Sequence, residues 1–265
     1  MKVVAVYSIK GGVGKTSTAV NIAYLAARDG HRTLICDLDP QAAATFLFRV
    51  RPKIRGGARG LVKGKHPLAD LIKGTDFEGL DLLPAELSYR YLDVALDRMK
   101  DSVTRLARML ATVEDEYDVI VLDCPPGLSL VSENVIHAAD LLLVPVIPAT
   151  LALRTLEQLT TFIAKHSEVS PDVVAFFSMV DRRKSQHRDV VDTLPEQRPE
   201  LTSVAIPYAS IVEQMGPRRE PLLAWASSGP AVAGYQDLWT LVRNRLAAND
   251  VGQSSQSAAD GPPEA

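Results

Sequence analysis

Residues 8–18 read SIKGGVGKTST, a composition suited to holding phosphate. Gly11, Gly12 and Gly14, with Val13 between them, let backbone amides approach and surround phosphate oxygens. Lys15 would set an ammonium beside β- and γ-phosphates, and the Thr16 hydroxyl suits Mg²⁺. Ser17 follows as a further phosphate-site residue, where a helix begins and points its positive end at the anion. Two features depart from the ordinary pattern. Ile9 stands where a glycine is usual, and Lys10 adds a second lysine ahead of the loop.

Carboxylates follow in two places. LICDLDPQ carries Asp37 and Asp39 at the end of an apolar run. Their equal parity predicts that both lie on one side of the extended chain, near the metal and the γ-phosphate. An aspartate there can orient an attacking water. Asp39 can also cap a helix beginning near Gln41, and that alternative stays open. VIVLDCPP places Asp123 after four apolar residues. A carboxylate at the C-terminal end of a buried strand, near Mg²⁺, is the Walker B arrangement.

These loops need a scaffold. Apolar runs predict strands over 2–8, 32–39, 80–85, 118–126, 140–146, 172–180 and 202–207, with helices over roughly 16–30, 88–114, 131–138, 153–166 and 231–247. Alternation of nearly all-apolar strands with helices predicts an α/β fold: a doubly wound, mostly parallel sheet with helices on both faces. Right-handed crossovers then bring every motif to one sheet edge. Residues 1–248 form the expected domain. From Asn249 the sequence is polar, Pro/Gly/Ser-rich and unpatterned, and a disordered tail is expected over 249–265.

The 265 residues are 46% hydrophobic, which excludes a wholly disordered chain. A formal charge of −3 means that any nucleic-acid or anionic-lipid contact needs a local basic patch. Cys36 and Cys124 lie in apolar runs and read as small buried hydrophobes in a reducing compartment. No apolar run reaches the length of a spanning helix and no signal peptide is evident, so a cytoplasmic protein is expected.

KGGVGKTS, DLDPQ, VLDCPPGLS and PVIPATLAL together resemble the deviant-Walker-A ATPases, the ParA/Soj/MinD group within the P-loop class, and most closely ParA/Soj. The resemblance runs from residue 1 to about 247. It implies ATP and Mg²⁺ as ligands and an ATP-sandwich homodimer in which Lys10 reaches the partner's nucleotide. It also implies that Lys15 and Thr16 hold phosphate and Mg²⁺, that Asp39 positions the water, that Asp123 supports the metal and that Asp37 serves its outer shell. Trans-acting charge at the γ-phosphate is the physical case for Lys10. Met179, Val180, Pro207 and Tyr208 are the candidates for flanking the base.

ParA-type relatives bind DNA without sequence preference, which needs Lys/Arg facing phosphates. The candidates are Arg182, Arg183, Lys184 and Arg188, then Arg218 and Arg219, then Arg243 and Arg245, together forming one strip. The stretch 49–67 carries seven Lys/Arg and no acid, and reads either as a mobile basic loop that touches DNA or an acidic partner or as a solvated excursion. The chain starts one residue before the first strand, so operator-specific repression is not expected. Under this reading the protein is nucleoid-associated, and a ParB-like or other adaptor stimulates hydrolysis. The alternative is a MinD-like membrane ATPase. YQDLWTLVRNRLAA is amphipathic, but the acidic tail after it suits anionic lipid poorly, and Tyr235, Leu238, Trp239 and Val242 are expected to pack on the sheet. An iron–sulfur ATPase needs exposed cysteine pairs that this sequence does not offer. A metabolic ligase or kinase on the same fold is the residual possibility.

Overall fold

Runs such as KVVAV and VIVLD are apolar and β-branched almost throughout, so both faces of the strands they form must be covered. The computed structural model describes residues 1–166 and 171–259. Its strands are β1 (Lys2–Val6), β2 (Thr33–Asp37), β3 (Lys73–Gly74), β4 (Leu80–Leu83), β5 (Val119–Asp123), β6 (Leu141–Val146), β7 (Asp172–Val180) and β8 (Leu201–Pro207). They form one sheet in the order β3-β4-β2-β5-β1-β6-β7-β8. Every pairing is parallel except that of β3 with β4, as expected for a doubly wound fold.

Helices α1 (Lys15–Arg28), α2 (Ala43–Leu47), α3 (Gly57–Val62), α4 (Leu68–Leu71), α5 (Leu92–Asp97) and α6 (Arg105–Ala111) connect the first five strands. The remainder are α7 (Leu130–Ala138), α8 (Thr150–His166), α9 (Ser185–Thr193), α10 (Ser210–Glu213), α11 (Met215–Arg218) and α12 (Pro230–Ala259). Successive strand residues face opposite sides. Val4, Val6 and Ile35 pack with α1 and α12, whereas Val3, Ala5, Tyr7 and Leu34 pack with α3 and α5–α8. Tyr235, Leu238, Trp239 and Val242 of α12 are buried as expected, and the Trp239 indole donates to Asp29 Oδ2 at 2.7 Å. Cys36 and Cys124 are buried and free.

Four expectations change. The helix expected over 88–114 breaks into a 3₁₀ turn (Leu87–Tyr91), α5 and α6. Buried Asn134 accounts for the second break: its amide donates to Ser102 O (2.6 Å) and its Oδ1 accepts from Leu106 N (3.0 Å), so α7 takes up two backbone groups that a continuous helix would have paired internally. The stretch 49–67 is folded, with Ile54, Ala58, Leu61 and Val62 buried. β3 is a two-residue edge strand too short for periodicity to register. Finally, α12 continues past Asn249 to Ala259, since propagating an existing helix adds one bond per residue fixed; 260–265 of the expected tail lie outside the described residues.

Candidate functional site

The order of strands sets the site. β5 lies between β2 and β1, with Asp123 in register with both Asp37 and Val6. The two acidic strand ends and the start of the phosphate loop therefore meet at one level of the sheet edge, where crossovers diverge and ligands bind.

The loop after β1 is shaped by glycine. Gly12 and Gly14 have φ of +69° and +90°, and Gly14 is the residue at which α1 starts. A Cβ on Gly14 would stand 2.9 Å from Ser178 Oγ, so both the backbone angle and the neighbour demand glycine. Lys15 is buried and its Nζ donates to the carbonyl of Lys10 at 3.2 Å, curling across the loop. Burial lowers its pKa, while Asp123, Cys124 and Asp39 pull it back up. Lys10 is the contrasting case. Its backbone serves the loop, but its side chain is exposed and has no hydrogen bond or ion pair among the described residues.

Asp37 is fully buried. Its Oδ2 accepts from Thr45 N (2.8 Å) and Thr45 Oγ1 (2.7 Å), and its Oδ1 from Asp39 N (3.2 Å). Burial raises its pKa to about 6 against these bonds. β2 ends at Asp37, and Leu38 N donates to Asp123 O at 2.9 Å, which carries the pairing with β5 one residue further before the chain turns. Asp37 thus shapes the turn with both of its oxygens while standing beside Asp123. Asp39 is half-buried; its Oδ1 caps the turn through Gln41 N at 2.9 Å, leaving Oδ2 open.

Asp123 is the converse case. Both of its carboxylate oxygens are buried without a hydrogen-bond partner. Burial, then the neighbouring Asp37, raises its pKa well above the carboxylate range; the nearby Thr16 side chain and Lys15 oppose this in part. An unpartnered buried carboxylate beside a hydroxyl and an ammonium is a fit for a divalent cation. Among the described residues no three His, Cys, Asp or Glu side chains are grouped to hold a metal alone. Mg²⁺ suits such a place because it takes few protein ligands and completes its shell with water and phosphate oxygens.

The loop after β5 is tied to the phosphate loop. Gly127 N donates to Ile9 O (3.0 Å), and Gly127 O accepts from Tyr7 Oη (2.6 Å) and Ser132 Oγ (3.0 Å). Beside Gly14 and Ser17, a cavity of about 110 Å³ is lined by Ser178, Met179, Pro207, Tyr208 and Tyr235. Met179, Pro207 and Tyr208 are among the expected base neighbours. Met179 holds φ of +55°, a strained angle of the kind that clusters at binding sites. Sequence reasoning missed Thr45 and Ser178, and read Tyr235 only as packing on the sheet, although it also lines this cavity.

The basic residues do not form one strip. Arg182, Arg183 and Lys184 are exposed where the chain leaves β7, on the phosphate-loop edge. Arg243 pairs with Asp29 and Arg245 with Asp172, both at 3.3 Å, at the opposite edge where α1 ends and β7 begins. Arg218 and Arg219 lie elsewhere, stacked on Trp225 and Phe46. The separation has a simple cause: α12 carries its arginines back down the sheet.

A glycine loop leading into a helix, a buried lysine and an unpartnered strand-end aspartate define a P-loop nucleotide-binding site, here with a second, exposed lysine. A family described as an AAA domain matches residues 1–173. The chromosome partitioning protein ParA of Myxococcus xanthus is 33% identical over 196 residues, 72% of this chain and 69% of the relative. The sporulation initiation inhibitor protein Soj of Bacillus subtilis is 29% identical over 245 residues, 89% of this chain and 96% of Soj. Among solved structures, cobyrinic acid a,c-diamide synthase from Mycobacterium smegmatis, with a bound ATP analogue and magnesium, superposes with a TM-score of 0.78 at 25% identity, over 94% of this chain and 97% of that one. The chain belongs to the ParA/MinD family of P-loop ATPases.

Proposed function

We propose that the protein is a ParA-type positioning ATPase. It binds ATP with Mg²⁺, closes on a second copy of itself, and in that state binds DNA without sequence preference. A ParB-like or other adaptor accelerates an otherwise slow hydrolysis and releases the dimer from the nucleoid of a cytoplasm. The cargo is a chromosome, a plasmid or a protein assembly.

The observation that carries this reading is the division between two lysines. Lys15 is buried and turned into its own loop, whereas Lys10 is exposed and its side chain has no partner among the described residues. An exposed ammonium beside the phosphate loop, with no partner among the described residues, is available to neutralise charge on a nucleotide held by a facing protomer. Lys15 grips phosphate, with the amides of Gly11, Gly12, Val13 and Gly14 around it. Asp39 orients the attacking water through its open oxygen, Thr16 and Asp123 hold Mg²⁺, and Pro207 flanks the base. When bound, Mg²⁺ supplies positive charge to the phosphate oxygens and a fixed geometry for them. Burial of the apolar face of α12 speaks against the MinD-like alternative, because that face is already spent on the sheet.

The test is a Lys10→Ala variant in sedimentation velocity with a slowly hydrolysed ATP analogue. It should bind nucleotide yet stay monomeric, while the unaltered protein dimerises with the analogue and not with ADP. A Lys10→Ala dimer indistinguishable from the original would remove the trans role. Binding to anionic liposomes without binding to random-sequence DNA would overturn the positioning reading in favour of the membrane one.

A further inference from the structure

We propose that the basic segment 51–65 is a contact surface for the phosphate backbone of duplex DNA, continuous with the Arg218–Arg219 corner. This rests on the DNA-binding reading above and names where on the molecule much of that binding occurs.

The segment is an ordered platform. Ile54 N donates to Glu86 Oε2 (3.1 Å), Ala58 N to Ser88 Oγ (2.9 Å), and Val62 O accepts from Arg105 Nε (2.6 Å). With its apolar residues buried against α5 and the 3₁₀ turn (Leu87–Tyr91), its cations are left outside: Arg51, Lys53, Arg55, Arg59, Lys63 and Lys65 are all exposed. Among the described residues none of the six meets a carboxylate within ion-pair distance. Arg49, just before them, does, pairing with Asp76 and Glu220. Six uncompensated cations repel one another on a chain whose net charge is −3, an arrangement that stabilises nothing internally and suits a polyanion.

Arg49 also shows what the segment adjoins. Its Nη2 donates to Arg218 O at 3.1 Å, and Arg219 Nε donates to Phe46 O at 2.9 Å with its guanidinium over the Phe46 ring. The corner that sequence reading grouped with Arg243 and Arg245 is therefore joined to the basic segment instead. A nearby cavity of about 400 Å³, lined by Leu61, Leu68 and Met109, has two arginines at its wall, Arg105 and Arg108. Both pair with Asp101, so that pocket carries little free charge for an acidic peptide. The free charge is on the outward cations, spread along the segment, which is what a repeating phosphate backbone matches.

The experiment measures binding of the full chain, with the ATP analogue, to random-sequence duplex DNA across a salt series. Each phosphate contact contributes about 0.9 to the slope of log K against log salt. The variant Arg51→Gln/Lys53→Gln/Arg55→Gln should lower that slope by about 2–3 per protomer and weaken binding equally on all sequences. Nucleotide affinity and thermal stability should hold, since the three side chains are exposed. Arg51→Lys/Arg55→Lys should keep the slope. An unchanged slope in the glutamine variant, beside a lowered one for Arg182→Gln/Arg183→Gln/Lys184→Gln, overturns this inference and leaves the proposed function standing. An unchanged slope with weakened binding to polyglutamate instead assigns the segment to an acidic protein and also overturns it. Absence of DNA binding by the unaltered protein removes both readings together.

Discussion

Replacing Gly14 with alanine puts a side chain where two constraints coincide. At φ of +90° and ψ of 22°, an L-residue is strained by about 1–2 kcal/mol. The new Cβ would also stand 2.9 Å from Ser178 Oγ, closer than such atoms approach, so the buried serine must turn its hydroxyl towards the adjoining cavity. Displacing Ser178 from its rotamer adds about 0.5–1.5 kcal/mol. The sum, about 2–3 kcal/mol, corresponds to a fall in Tm of roughly 4–12 °C for a chain of this size. The steric share is separable. In a Ser178→Ala background the Gly14→Ala penalty should shrink by about 0.5–1.5 kcal/mol, read as a coupling energy from four thermal or chemical unfolding curves. Titration with an ATP analogue should show weaker binding in both Gly14→Ala proteins, because the strained angle displaces the loop amides whether or not Ser178 is present. If Gly14→Ala unfolds with the original protein, or Ser178→Ala recovers nothing, the geometry argued for the loop is wrong.

Asp37, with its pKa raised from 3.8 to about 6, favours the protonated form in the fold. Its contribution to stability is complete below about pH 4 and is lost as pH rises through 6. Nucleotide-free protein should then be about 1 kcal/mol less stable at pH 7.5 than at pH 5 from this group, an excess slope that Asp37→Asn should remove in urea unfolding series. Asp39→Ala should keep ATP affinity but cut the hydrolysis rate about 10²-fold or more, leaving a long-lived dimer by light scattering. Arg243→Ala/Arg245→Ala should leave the DNA salt slope unchanged and cost at most about 1 kcal/mol each, as expected for exposed or half-exposed ion pairs.

The sheet and the phosphate loop were legible in sequence because both are written locally: β-branched runs, glycines and the Lys15–Thr16 pair lie within a few residues of one another. What was not legible depends on distant partners. The roles of Asp37 and Asp123 look alike in sequence, each an aspartate ending an apolar run. They separate only because Thr45 and the Asp39 amide reach the Asp37 carboxylate, whereas among the described residues the Asp123 carboxylate oxygens have no hydrogen-bond partner. Asp39 lies beyond the end of β2, yet it still acts electrostatically on Lys15 and Asp123, as Asp37 does on Asp123. The break between α5 and α6 came from Asn134, far along the chain, and the pairing of Arg243 and Arg245 from acids on other elements. Local composition gives a residue's chemistry; the competing bonds that redirect it are long-range.

Placing β5 between β1 and β2 also bears on how the chain is made. The phosphate loop leaves the ribosome early, yet its metal-side carboxylate arrives only with Asp123, after every element up to β5 has been synthesised. Closing that strand into the sheet forms contacts of high sequence separation, the slow kind in folding. Until then Lys15 lacks the Asp123 counter-charge, with only Asp39 among its acidic neighbours already made. Tight nucleotide binding is thus unavailable to a nascent or half-folded chain, and its onset reports that the central three strands have closed.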